Sequence, residues 1–182
     1  LNVVLPADLY IRSATAGSAS DTVYLTPRFV QAVAGLAGVQ RESTLRTSSL
    51  RLAPSEPAVA LIARDIDDAA HGLPLLAPAL PVPPGDVAIY VSEAVVDLYG
   101  ARAGTVFTPL SAAFEAVALD GHKQSATFFV AGVWRDYARQ FGAIALGRRD
   151  FERLTGDRRV NDLALWLQPG TDAAGLRQAI RD

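Results

Sequence analysis

The side chains able to do acid–base, nucleophilic or metal chemistry are few, and their spacing decides little. There are two histidines, His71 and His122, one lysine, Lys123, and no cysteine. The missing thiols exclude disulfides, thiolate metal sites and cysteine nucleophiles. Either histidine could join a distant serine and aspartate, because such triads assemble across the chain. Both lie in loop-like sequence, however, and neither G-x-S-x-G nor S-x-x-K occurs. Asp65, Asp67 and Asp68 cluster three residues before His71 at its nearest. That spacing is not an EF-hand loop, and it reads as a solvated acidic turn. Glu93 and Asp97 stand four apart on a short helix, where like charges repel and suit an exposed face. The lone lysine sits in Gly121-His122-Lys123-Gln124, which is no Walker loop, and G-x-G-x-x-G is absent. No cofactor or metal is expected, and any ATP chemistry belongs elsewhere.

Arg135-Asp136-Tyr137 is the remaining cluster, following an apolar run that ends in Trp134. As structure it closes a strand, with Arg and Asp holding the turn and the aromatics covering the core edge. As function it is a contact surface, because Trp, Tyr and Arg are the commonest interface anchors. With Phe141, these residues (Trp134, Arg135, Asp136, Tyr137 and Phe141) are the candidate partner-binding set.

The elements that must position this set can be read outward from it. Val87 to Val91 is an apolar strand. Ser92 is a suitable N-cap with a hydroxyl free for an orphan amide, Glu93 suits the helix dipole, and Gly100 suits a left-handed C-terminus. Gly104 turns the chain into a strand from Thr105 to Thr108. A hairpin from Phe114 to Phe129, turning near Asp120-Gly121, leads into the strand Thr127 to Trp134. Toward the N-terminus, Asp8 to Ser13 alternates as a strand, and Thr26-Pro27 opens a helix with Phe29, Val30, Val33 and Leu36 at helical spacing. Val39 to Leu52 reads as an edge strand or hairpin whose wet face carries Arg41, Arg46 and Arg51. Val59 to Ala63 is a buried strand. Toward the C-terminus come a strand at Ala143 to Leu146 and a helix from Arg148 to Leu154 stopped by Gly156. A strand at Leu163 to Leu167 and a last helix after Asp172, with Leu176 and Ile180 inward, complete the chain.

Composition sets the limits. The chain has 182 residues, half of them hydrophobic and a fifth charged, enough for one large domain or two lobes. Seventeen basic against nineteen acidic residues give no electrostatic case for nucleic acid. No apolar run approaches the roughly 20 residues of a membrane span. The absence of methionine is read as an excised or processed segment. Five of the eleven prolines fall between Leu73 and Asp86, which reads as a linker or lobe boundary.

Three stretches together resemble a known family. They are V-S-E-A-x-x-x-L-Y-G-x-x-x-G (Val91 to Gly104), F-x-V-A-G-V-W-R-D-Y ending at Tyr137, and D-F-x-x-L-T-G-D followed by L-A-L-W-L-x-P-G-T-D (Leu163 to Asp172). In order and spacing they are similar to the extracytoplasmic core domain of FtsX-like, MacB-type ABC transporter permeases, most specifically from Val87 onward. The resemblance implies an α+β fold. A ferredoxin-like βαβ lobe would be built from residues 1–57 and 143–182, and a β-rich lobe (58–142) inserted between them, with the Pro-rich linker at 73–86.

It also implies a non-enzymatic domain on the periplasmic face of a bacterial inner membrane, set between transmembrane helices of its own protein. A separate ATPase subunit or domain would drive it, the full-length protein would be dimeric, and a periplasmic adaptor, lipoprotein or lipophilic cargo would be engaged. Both chain termini would then lie at one end of the molecule. A stand-alone lipid- or small-molecule-binding module, or less readily a serine hydrolase, are the alternatives.

Overall fold

The computed structural model describes residues 7–13, 23–65, 73–115, 118–121 and 124–182. His71, His122, Lys123, Asp67 and Asp68 lie outside them, as do residues 1–6, on which the expectation about the termini partly falls. The chain divides into two compact units, one of residues 1–46 and 158–182, the other of residues 47–157.

The first unit joins the two chain ends. Strand β1 (Leu9–Arg12) is followed by helix α1 (Pro27–Ala34) and strand β2 (Val39–Leu50). The helix starts where Thr26 and Pro27 require. The Thr26 hydroxyl accepts from the Phe29 N–H at 3.2 Å, while Pro27 fills a position whose N–H would go unpaired anyway. Strand β7 (Asp162–Leu167) then pairs antiparallel with both β1 and β2. It therefore splits a βαβ unit whose outer strands are β1 and β2. Val33 of α1 and Leu176 of the last helix, α5 (Ala173–Arg181), pack with Leu9, Leu163 and Leu165.

Strand β2 corrects one expectation. It is a single strand, and Arg46 is buried, with its guanidinium 4.0 Å above the Tyr24 ring and Nη1 donating to the Arg159 carbonyl at 3.1 Å. Arg41 and Arg46 are five apart, an odd interval that sends them to opposite faces of a strand. Only Arg41, stacked 3.8 Å over Trp166, and Arg51 remain exposed.

The second unit is built on strands β3 (Val59–Arg64), β4 (Val87–Ser92), β5 (Phe128–Trp134) and β6 (Ala143–Gly147) in the order β3-β6-β4-β5. The β3–β6 and β4–β5 pairs are parallel, and β4–β6 is antiparallel. Strands β4, β5 and β6 are almost continuously buried, the run of apolar residues expected where both faces are covered. Helices α2 (Glu93–Tyr99), α3 (Pro109–Glu115) and α4 (Arg148–Thr155) accompany them. Residues 47–57 and 143–157, expected with the chain ends, thus belong to this unit, since β6 pairs with β3 and β4.

The hairpin expected from Phe114 to Phe129 is not formed. Phe114 belongs to α3, and its ring lies 5.1 Å from that of Phe128 and 6.1 Å from that of Phe151. Thr108-Pro109 is the same opening that starts α1, and Leu110, Ala113 and Phe114 follow at helical spacing. Strand β5 finds its partner in β4 instead. Nor do Thr105 to Thr108 make a strand, since only Val106 bridges to Phe129.

The proline-rich segment is not a linker between the units. It lies inside the second one, where Leu75 bridges Trp134. The N–H groups of Leu76 and Leu80 donate to the carbonyls of Val133 and Ala131, at 2.9 and 2.8 Å. With Gly104 to Phe107, which bond to Phe128 and Val130, it covers the outer edge of β5. Gly132 makes room for it, because a Cβ there would stand 3.1 Å from side-chain atoms of both Leu75 and Tyr90. Among the described residues no helix is long and apolar enough to cross a membrane.

Candidate functional site

The candidate residues lie where β5 leaves the sheet. Register pairs Ser92 with Trp134, so the next residue on each strand, Glu93 and Arg135, emerges beside the other. Arg135 donates from Nε to Glu93 Oε2 at 2.9 Å and from Nη2 to Oε1 at 3.1 Å. This is the two-pronged geometry that suits a guanidinium to a carboxylate. The bond from Arg135 holds the Glu93 carboxyl below its usual range. Glu93 in turn raises the Arg135 guanidinium, with a smaller contribution from the Tyr137 hydroxyl. Glu93 is thus half of an ion pair across two elements, where the sequence suggested only a solvated carboxylate near Asp97.

A second tether is buried. Ser92 stands at the N-cap of α2, yet its hydroxyl caps nothing. It accepts from the Ala143 N–H at 3.0 Å, fixing the far end of the 135–142 loop to the start of the helix. Gly142 is required at the same place. Its φ is +101°, and a Cβ there would meet Val95 Cγ2 at 2.6 Å. Inside the loop, Asp136 accepts from the Ala138 N–H and from Arg139 Nη1, each at 2.9 Å. Partial burial pushes that carboxyl up, but these bonds outweigh it and the net displacement is downward.

The expected contact set therefore divides. Trp134 is only 5% exposed and belongs to the core edge, so it is no surface anchor. Arg135 and Asp136 hold the loop. Tyr137, 90% exposed, and Phe141, 52% exposed, are what the loop displays. An aromatic pair on a backbone fixed at both ends loses little conformational entropy on meeting a partner. Of the residues considered for metal binding, Asp65 receives Arg148 Nε at 3.1 Å. No group of three or more metal-ligating side chains occurs among the described residues. Neither the Glu93–Arg135 pair nor the Ser92 tether is legible in the sequence, because the first arises from the register of β4 on β5 and the second from the pairing of β4 with β6.

No protein-family model matches the chain, and neither does any curated protein. The fold does have solved counterparts. The chain superposes on the periplasmic region of MacB from Actinobacillus actinomycetemcomitans with a TM-score of 0.58 and 12% identity, over 94% of this chain and 78% of that one. It also superposes on the extracellular domain of YknZ, a noncanonic ABC-type transporter of Gram-positive bacteria. The TM-score there is 0.53 at 11% identity, over 93% of this chain and 86% of that one. The fold is that of the MacB periplasmic domain, an α+β arrangement as the sequence suggested.

Proposed function

We propose that this chain is a non-enzymatic, extracytoplasmic domain of an ABC transporter permease, and that it acts by contact. On this reading the 135–142 loop meets a periplasmic adaptor, lipoprotein or lipophilic cargo, and the domain passes the event to an ATPase through its own protein's membrane helices. The observation that carries the reading is the shared fold over 94% of the chain with the MacB periplasmic region. The loop adds to it, with charged side chains spent on anchoring and two aromatic side chains left outward. A dimeric full-length permease would present two such loops.

The test has two parts. The parent gene is expected to encode apolar spans flanking this segment, and a gene without them overturns the assignment. In the reconstituted permease with its ATPase, Tyr137→Ala with Phe141→Ala should reduce partner-stimulated ATP turnover about tenfold or more, the loss expected for removing contact anchors. The melting temperature of the domain should stay unchanged. Normal stimulation in the double variant would rule out the loop as the contact.

A further inference from the structure

The segment covering β5 has a property that edge protection does not call for. From Leu73 to Gly85 it carries no ionisable side chain, and Pro78, Pro81 and Pro84 recur every third residue. Proline fixes φ near the value of an extended left-handed helix, and each residue before a proline is driven to extended backbone. Ala77, Leu80, Val82 and Pro83 all precede a proline, so the sequence permits little else. From Ala77 to Pro83 the chain forms neither helix nor strand. In polyproline II, where three residues make a turn, Pro78, Pro81 and Pro84 would form one ridge roughly 19 Å long. All three are exposed.

We propose that Pro78 to Pro84 is a preformed docking ridge for a partner domain that reads polyproline II through a groove lined with aromatic side chains. This goes beyond the transporter assignment and concerns a surface other than the 135–142 loop. The chemistry selects the partner. Five positions of the segment lack an N–H altogether, and the N–H groups of Leu76 and Leu80 are committed to β5. An added β-strand, which needs alternating donors, would find too few of them. A groove that packs rings against prolines needs none of them. The two bonds to β5 and the contact of Leu80 with Gly104, whose Cβ would stand 3.4 Å from Leu80 Cδ1, hold the ridge in place before any partner arrives. Its ordering cost is then already met.

The experiment is an NMR titration of the whole 15N-labelled chain with purified SH3, WW and EVH1 domains, and separately with phosphatidylcholine/phosphatidylglycerol vesicles. The expected result is saturable shifts confined to residues 76–87 with at least one reader domain. Affinity should fall at least tenfold in the Pro78→Ala/Pro81→Ala/Pro84→Ala variant. Slow exchange of the Leu76 and Leu80 amides in that variant shows the segment still seated on β5; if it unseats, Pro81→Ala alone serves in its place. Absence of binding to all three readers at millimolar concentration overturns the proposal. So does binding that survives the proline substitutions, or binding to vesicles alone, which would make the segment a lipid-facing strip.

Discussion

Ser92 carries more than its position at a helix start suggests. Its hydroxyl is the acceptor for a buried N–H, that of Ala143, so Ser92→Ala leaves that donor without its partner. The expected loss is about 1–3 kcal/mol in the chemical-denaturation free energy, and a loss under about 0.5 kcal/mol would mean the amide finds another acceptor. The exposed Glu93–Arg135 pair behaves differently. The folded carboxyl titrates below its unfolded value, so its contribution is complete above the ordinary glutamate value of about 4.3, neutral pH included. That contribution is lost as pH falls through the lowered folded value. Amide exchange of residues 136–142 should therefore quicken severalfold on acidification, relative to the intrinsic rate, and Glu93→Gln should bring the same quickening at pH 7. Unaltered exchange in Glu93→Gln would show that the buried tether alone fixes the loop. Neither residue's role was readable from sequence, since Glu93 and Arg135 are 42 positions apart and meet only through strand register.

Elements were legible where one local signal sufficed. Thr26-Pro27 announced α1, and Thr26→Ala should cost about 1 kcal/mol, measured by the shift of the denaturation midpoint. Thr108-Pro109 is an equivalent opening for α3, whereas the Asp120-Gly121 turn favours a hairpin in the sequence. A turn signal states that the chain reverses and leaves open whether the two arms pair with each other. Here the second arm pairs with β4 while the first is helical, and Phe114 becomes a helical core residue between Phe128 and Phe151. Phe114→Ala should accordingly cost about 3–5 kcal/mol, the range for a buried ring, against far less for a side chain at a hairpin surface. The proline-rich segment was legible as irregular and illegible as an edge cover, because its partner, β5, lies some fifty residues further on. Proline content reports backbone freedom, and says nothing of what the backbone rests on.

At the scale of the molecule, the chain ends form one compact unit and residues 47–157 the other, and no local signal in the sequence marks these boundaries. The apolar strand β6 has the same character whether it pairs with the chain ends or with β3 and β4, and only the pairing assigns it to the second unit. The plan makes a prediction about fragments. Residues 47–157 are contiguous and hold their own core, so they should fold alone with native-like amide protection. Residues 1–157 lack β7, the strand between β1 and β2, and should lose protection throughout residues 7–46. Protected amides in β1 of that fragment would contradict the split arrangement.

The position of β7 also dictates a timetable. A ribosome that has finished β1, α1 and the start of β2 must still polymerise more than a hundred residues before the strand that joins them exists. At about 5–20 residues per second that delay is on the order of ten seconds. Throughout it, Leu9, Ile11 and Val33 lack their β7 partners, so nascent chains stalled just short of Asp162 should be the ones that holdase chaperones retain.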